Sequence, residues 1–351
     1  MNSVHHRLCH SALGRRPGEE SAFLTARLAC SLIQSLLLLP ILSLSLAASS
    51  AVAVETPQDL LADGHPDQAV QTLQRQIETA PTAEAYNLLC RAHFELDAWD
   101  AGIPDCEKAA SLAPHNGLYH LWLGRIYGEK AARAAFFSAA SLAKKVRAEF
   151  ERAVQYAPDD WKARTDLAEF YLEAPGIVGG GKDKARAEAG LIAPLNPEMA
   201  HWVIARLAEK NKDYATAERE YRAAIEASHG GARAWLNLAG FYRHMNRLDE
   251  MEDALRTMES RPLDNSAALV DGARMLQRTG RDNAMGIRFL RRYIASSNTV
   301  EEAPAFKAHC LLGELLEKQG DRPAAADEYR TALEMAGNFS VAEDGLKRVG
   351  R

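Results

Sequence analysis

After residue 53 the chain reads as amphipathic helix almost throughout. Apolar positions return at helical intervals, and charged residues of both signs fill the faces between them. Pro81, Pro114, Pro158 and Pro197 each close such a stretch, because proline disfavours helix in the residue before it. Ahead of each proline stand two helical segments with small residues at matched places. The closing stretch, residues 338–349, sets Phe339, Ala342, Leu346 and Val349 on one face and predicts a final helix that covers the end of the array.

The first 53 residues follow another pattern. Arg15, Arg16 and Arg27 precede an uncharged apolar run at 32–46, and Ala51-Val52-Ala53 supplies small residues at the two positions a signal peptidase inspects. A positive start, an apolar middle and an A-x-A end predict a secretory signal, residues 1–53, cleaved after Ala53. The alternative is an uncleaved anchor, since residues 29–48 approach the roughly 20 residues a membrane span needs. His5, His6, Cys9 and His10 look like metal ligands but leave with such a signal. Arg15-Arg16 is followed by Pro17 and Gly18, which a twin-arginine signal does not use.

The most informative feature of residues 54–351 is internal repetition. Leu123-Gly124 with Tyr127, and Trp235 with Leu238, Ala239 and Tyr242, share one pattern. Asp213-Tyr214 with Ala217, Tyr221 and Ala224, and Gly320-Asp321 with Ala325, Tyr329 and Ala332, share a second. Residues 85–114 carry both in looser form. These residues resemble the tetratricopeptide repeat, whose pattern runs W-x2-L-G-x2-Y, then A-x3-F-x2-A, then P. Alignment on the first small residue of the second helix gives Ala69, Gly102, Val146, Ala185, Ala217, Met251, Met285 and Ala325, at intervals scattered around the roughly 34 residues of that family. The resemblance covers nearly all of residues 54–351. It implies an all-α, right-handed α-solenoid of about eight helix pairs with a C-terminal capping helix, the first pair short. No such repeat buries its apolar face alone, so the stack is the core.

Three places depart from the pattern. Residues 117–158 hold about ten extra residues, Ala-rich and free of breakers, which predict longer helices. Residues 159–197 hold an overgrown turn, Ala174-Pro175-Gly176-Ile177-Val178-Gly179-Gly180-Gly181-Lys182-Asp183-Lys184. A longer link runs through 295–304. The first two together resemble a subgroup of bacterial exported repeat proteins with an A-P-G-I-V-G-G-G-like turn.

Composition narrows the function. Aromatics are 7% of 351 residues and the net charge is −5, so the chain lacks the basic field that nucleic-acid binding needs. Gly176 to Lys182 formally fits G-x4-G-K, but the segment before it is helical and Asp183 stands where a P-loop places a hydroxyl. The expectation there is a flexible turn without nucleotide. No H-E-x-x-H, G-x-S-x-G or C-x-x-C occurs after residue 53, so no catalytic residue, metal site or cofactor is predicted. His201 and His309 fall where the repeat places packing aromatics.

Cys90 and Cys106 fall on the first and second helix of one repeat, at positions that face each other in the family. They are either two buried thiols or a bridge closing a loop of about 16 residues, worth about 3 kcal/mol.

Tetratricopeptide stacks bind peptides along the concave face lined by the first helices. Mapped here, one row reads Arg91, Arg125, Glu169, Arg206, Gly240, Arg274 and Glu314, and its neighbours add Asn87, Leu121, Lys162, Trp202, Arg233, Leu236 and Arg243. Arginine stands out in an acidic chain. The expectation is a groove for protein or peptide segments bearing carboxylates, with Trp202 and Leu236 as apolar anchors. The other reading is a solvated face whose arginines pair with nearby glutamates. Members that clamp a terminal carboxylate use Lys, Asn and Arg where this chain has Asn87, Arg91, Trp122, Lys162 and Asp166; Trp122 and Asp166 break that set.

The sequence therefore predicts a non-catalytic interaction scaffold of the periplasm or cell envelope, or a secreted one, with membrane contact only if the leader stays attached. A solenoid binding carbohydrate or another small ligand is the second class, through Trp202, Trp235 and the glycine turn. An enzyme with a site near 174–184 is the third. Phe136, Phe137 and Leu142 offer a surface for a second copy.

Overall fold

The computed structural model describes residues 55–262, 265–296 and 299–350. The predicted leader lies outside them. Among the described residues there are 17 α-helices and no strand, apart from a single antiparallel bridge between Val300 and Ala303. The helices form eight consecutive pairs: α1 (Pro57–Ala62) with α2 (Pro66–Thr79), α3 (Ala83–Glu95) with α4 (Trp99–Leu112), α5 (Gly117–Ala132) with α6 (Phe136–Tyr156), and α7 (Trp161–Glu173) with α8 (Lys182–Ile192). They continue as α9 (Pro197–Lys210) with α10 (Tyr214–Ala227), α11 (Ala232–His244) with α12 (Leu248–Glu259), α13 (Ala267–Thr279) with α14 (Asn283–Ile294), and α15 (Ala305–Gln319) with α16 (Arg322–Met335). The last helix, α17 (Ser340–Val349), covers α16.

The core runs along the stack. All eight in-phase positions are buried, with Ala69, Ala185, Ala217, Met251, Met285 and Ala325 wholly so and Gly102 and Val146 nearly so. The small residues among them, Ala69, Gly102, Ala185, Ala217 and Ala325, let the paired helices approach closely, and large side chains such as Tyr221, Phe289 and Tyr329 fill the space beside them. At Gly124 a β-carbon would overlap the Phe150 ring.

Most pairs turn in the same way. Gly64, Asp97, Lys212, Asn246, Gly280 and Gly320 adopt left-handed backbone with φ between 57° and 92°. The next residue's N–H (His65, Ala98, Asp213, Arg247, Arg281, Asp321) donates to the carbonyl five residues back at 2.7–3.2 Å. This is a Schellman closure, which satisfies the carbonyls a helix leaves open at its end. The two pairs without it are the two enlarged ones. In the first, α5 and α6 have 16 and 21 residues. In the second, a 3-10 turn at Gly176–Val178 carries the chain between α7 and α8.

That turn is a fixed structure, not the flexible one expected. Val178 is buried, Gly180 N–H donates to Pro175 and Gly181 N–H to Tyr171, and the Lys184 ammonium donates to Gly179 at 3.0 Å. A β-carbon on Gly180 would overlap the Ala174 carbonyl. Gly179 and Gly180 serve close approach, to the Arg147 side chain and to the Ala174 carbonyl. Leu142 likewise packs against the core, whereas Phe136 and Phe137 are exposed.

The two ends of the stack meet. Gly64 packs against Ala305 and Met335, Asp67 accepts from Gly337 N–H at 2.7 Å, and Lys307 pairs with Asp97 at 2.9 Å.

Candidate functional site

The first helices of successive pairs are tied to one another along the inner face by charge. Arg125 on α5 meets Asp166 on α7 at 2.7 Å. Glu173 on α7 takes both Arg206 and Lys210 from α9, at 2.6 and 2.5 Å. Arg233 on α11 meets Asp271 on α13 at 3.2 Å. The arginines also lie over rings: Arg91 and Arg125 flank Trp122 at 5.3 and 4.9 Å, and Arg206 lies 5.8 Å from Trp202. Such stacking adds to the ion pairs where water is partly excluded.

The chain itself brings acids to this face. Between α14 and α15, the buried Tyr293 hydroxyl accepts from Val300 N–H at 3.0 Å and donates to the Ala303 carbonyl at 2.5 Å. The turn so held, closed by Ala303 N–H donating to the Val300 carbonyl at 3.0 Å, presents Glu301 to Arg91 in a two-bond pair, one bond running from Arg91 Nε to Glu301 Oε1 at 2.7 Å. Glu302 reaches Lys162 at 3.6 Å. Glu95 lies beside this contact, 2% exposed, and neither carboxylate oxygen has a hydrogen-bond partner among the described residues. Burial pushes its carboxyl well above the usual range, and Glu301 and Glu302 reinforce the effect against Arg91 and Lys307. Burial also raises Asp166 against Arg125, and Glu169 against Arg206.

Where the ends of the stack meet, a cavity of about 470 Å³ opens. Arg133 lies over the Trp99 ring at 3.9 Å, and the Trp99 indole N–H is buried without a partner among the described residues. Arg274 and Arg278, one helical turn apart on α13, line the opposite wall. Neither is in an ion pair among the described residues. Glu129 and Glu314 share the cavity, with Glu314 accepting from Gln277. Phe94 and Phe339 supply apolar wall.

The residues predicted from the sequence are thus distributed unevenly. Arg91, Arg125, Lys162, Arg206 and Arg233 lie on acids of the same chain. Asn87 is 2% exposed, and Leu236, expected as an anchor, is buried in the core. Trp202 is half-buried, and Arg243 hydrogen-bonds His244 at 3.0 Å. Arg274 alone of the set lines the end-to-end cavity. Arg133, Arg278, Trp99 and Lys307 escaped the one-per-repeat row, although Arg278 sits four residues from Arg274 and was legible from that spacing. His201 and His309 donate from Nδ1 to the Glu220 and Glu328 carboxylates at 2.9 and 2.6 Å, as helix-to-helix pairs. Cys90 and Cys106 form a disulfide with Cα atoms 5.2 Å apart, inside the range a bridge requires.

Comparisons with known proteins find the same repeat in the sequence. The sequence profile of the tetratricopeptide repeat matches residues 58–117 and 203–265, and a second profile of the same description matches 306–339. Rat sperm-associated antigen 1 is 40% identical over 53 residues, which is 15% of this chain and 6% of that protein. Among solved structures, a tetratricopeptide repeat protein from Parabacteroides merdae aligns with TM-score 0.43 at 14% identity, over 84% of this chain and 96% of its own. Yeast Tom70 aligns with TM-score 0.49 at 13% identity, over 81% of this chain and 58% of its own. The repeated helix pairs with their in-phase small residues, together with the matched repeats, place the chain in the tetratricopeptide-repeat family.

Proposed function

We propose that the chain is a non-catalytic scaffold that holds carboxylate-bearing protein segments on its inner face, exported to the periplasm or beyond by its leader. Tetratricopeptide repeats generally mediate protein–protein interactions, and that much follows from the family. The observation that carries the finer reading is the seat of Glu301 and Glu302. An acidic turn of the same chain already lies on Arg91 and Lys162, so this face accommodates carboxylates. Of the cations around the aromatic-walled cavity, Arg133, Arg274 and Arg278 have no ionic partner among the described residues. Planar guanidinium groups bind carboxylates through two parallel bonds, and Trp99 and Phe94 give the apolar anchoring that such a contact needs.

The test is in-cell cross-linking followed by mass spectrometry of captured partners. Charge reversal at Arg133, Arg274 and Arg278 should abolish capture while the helical circular dichroism stays unchanged. Reversal at Arg91, Arg125 and Arg206 is less clean, because it also breaks ion pairs within the chain. If the Arg133, Arg274 and Arg278 variant retains the parent's partners, the cavity is not the binding site. Partners without acidic segments would sink the carboxylate reading.

A further inference from the structure

The most exposed large apolar side chains of the described residues are Phe137, Ile177 and Phe136, at 88%, 87% and 80%. They stand on two turns of neighbouring pairs: Phe136 and Phe137 where α6 begins, Ile177 in the 3-10 turn before α8. Between the turns runs an open groove of about 730 Å³, walled by Ala132, Phe136, Ala140, Phe170, Pro175 and Ile177. These are the two enlarged pairs, and their added length is what carries the apolar tips outward.

The charge around the tips is mostly basic. Residues 128–147 and 173–186 contain eight Lys and Arg against three Asp and Glu, in a chain whose net charge is −5. Lys145 and Arg147 pair with Glu107 and Glu151 at 3.7 Å. Lys144, Lys182 and Lys184 are exposed and have no ionic partner among the described residues. Lys182 and Lys184 do donate to neutral groups, at Asn211 and Gly179.

We propose that these two tips insert into an anionic lipid surface, with Lys144, Lys182 and Lys184 on the headgroups. Aromatic and aliphatic tips gain by leaving water for the acyl boundary, and a basic rim is drawn to the negative surface potential. A second copy fits less well, since a symmetric contact would set one basic rim against another. The contact is peripheral: no described helix is long and apolar enough to cross a membrane.

The experiment places a reporter at the tip, so that any binding by residues before 55 does not confuse it. Full-length Phe137→Trp is compared with the parent on vesicles of phosphatidylcholine alone and of phosphatidylcholine with phosphatidylglycerol, each with brominated acyl chains. The introduced fluorescence should shift to the blue and be quenched on the anionic vesicles only. Adding Lys144→Gln and Lys182→Gln should weaken that binding roughly fivefold per charge removed, and Phe136→Ser with Ile177→Ser should abolish it. Absence of quenching on both vesicles overturns the proposal, as does equal quenching on both. Light scattering without lipid supplies the remaining arm. A dimer that Phe136→Ser converts to monomer would assign the tips to a second copy instead.

Discussion

Arg91 of α3 and Glu301, 210 residues later, meet in a two-bond ion pair on the inner face. The pair joins the second repeat to the link before the eighth, so it reports whether the stack has closed on itself. Both side chains are largely shielded, at 20% and 15% exposure, where charge-assisted bonds are strong. Arg91→Ala and Glu301→Ala should each lower the unfolding free energy by about 1–3 kcal/mol. The double variant should lose less than the sum, which chemical denaturation in a double-mutant cycle will show. Additive losses would mean that the two groups do not interact in solution.

Glu95 predicts a pH effect of defined sign. Its carboxyl is raised in the folded state by burial, so the folded chain keeps a proton that the unfolded chain releases. Its favourable contribution is complete below the ordinary glutamate value and is lost as the pH rises through the folded one. Glu95→Gln should therefore stabilise the protein at neutral pH by about 1–3 kcal/mol, the cost of a buried carboxylate without partners. The gain should vanish as the pH approaches about 4.3. Thermal unfolding of both forms across that window decides it; a pH-independent difference would contradict the assignment.

The glycine-rich turn gives two opposite expectations a few residues apart. Gly180→Ala forces a β-carbon into the Ala174 carbonyl and should cost about 2–4 kcal/mol. Gly176→Ala meets nothing within 4 Å and should change stability by less than about 0.5 kcal/mol. Denaturant midpoints of the two variants compare them directly. Equal effects would show that the turn is mobile in solution.

Non-reducing peptide mapping should join the peptides of Cys90 and Cys106. Reduction should then lower stability by about 3 kcal/mol. Cys310 is buried and its thiol is pushed up to about 12 by burial and by Glu314, so it should resist alkylation at neutral pH until the chain unfolds. Free Cys90 and Cys106 in the oxidised protein would refute the bridge.

Much of the architecture was written locally. The phase of Ala69 through Ala325, the capping face of Ala342, and the two enlarged pairs follow from spacing and residue size along single helices, where each signal lies within a few turns. The sequence likewise placed Cys90 opposite Cys106, because both fall within one repeat. The inner face resisted this reading. A one-per-repeat row marks which residues share a face, but not which of them a neighbour covers; hence Leu236 is core and Asn87 is buried. Carboxylate partners for Arg125, Arg206 and Arg233 come from the adjoining pair, 33–41 residues away, and many acids lie at such distances.

What only the tertiary structure decided is the meeting of the two ends. The small rotation between one pair and the next accumulates over eight pairs, and no local pattern encodes the sum. That sum seats Glu301 on Arg91, isolates Glu95, and brings Trp99 and Arg133 opposite Arg274 and Arg278. The repeat and its helices were therefore legible in the chain, whereas the candidate site exists only once the stack has curved far enough to close.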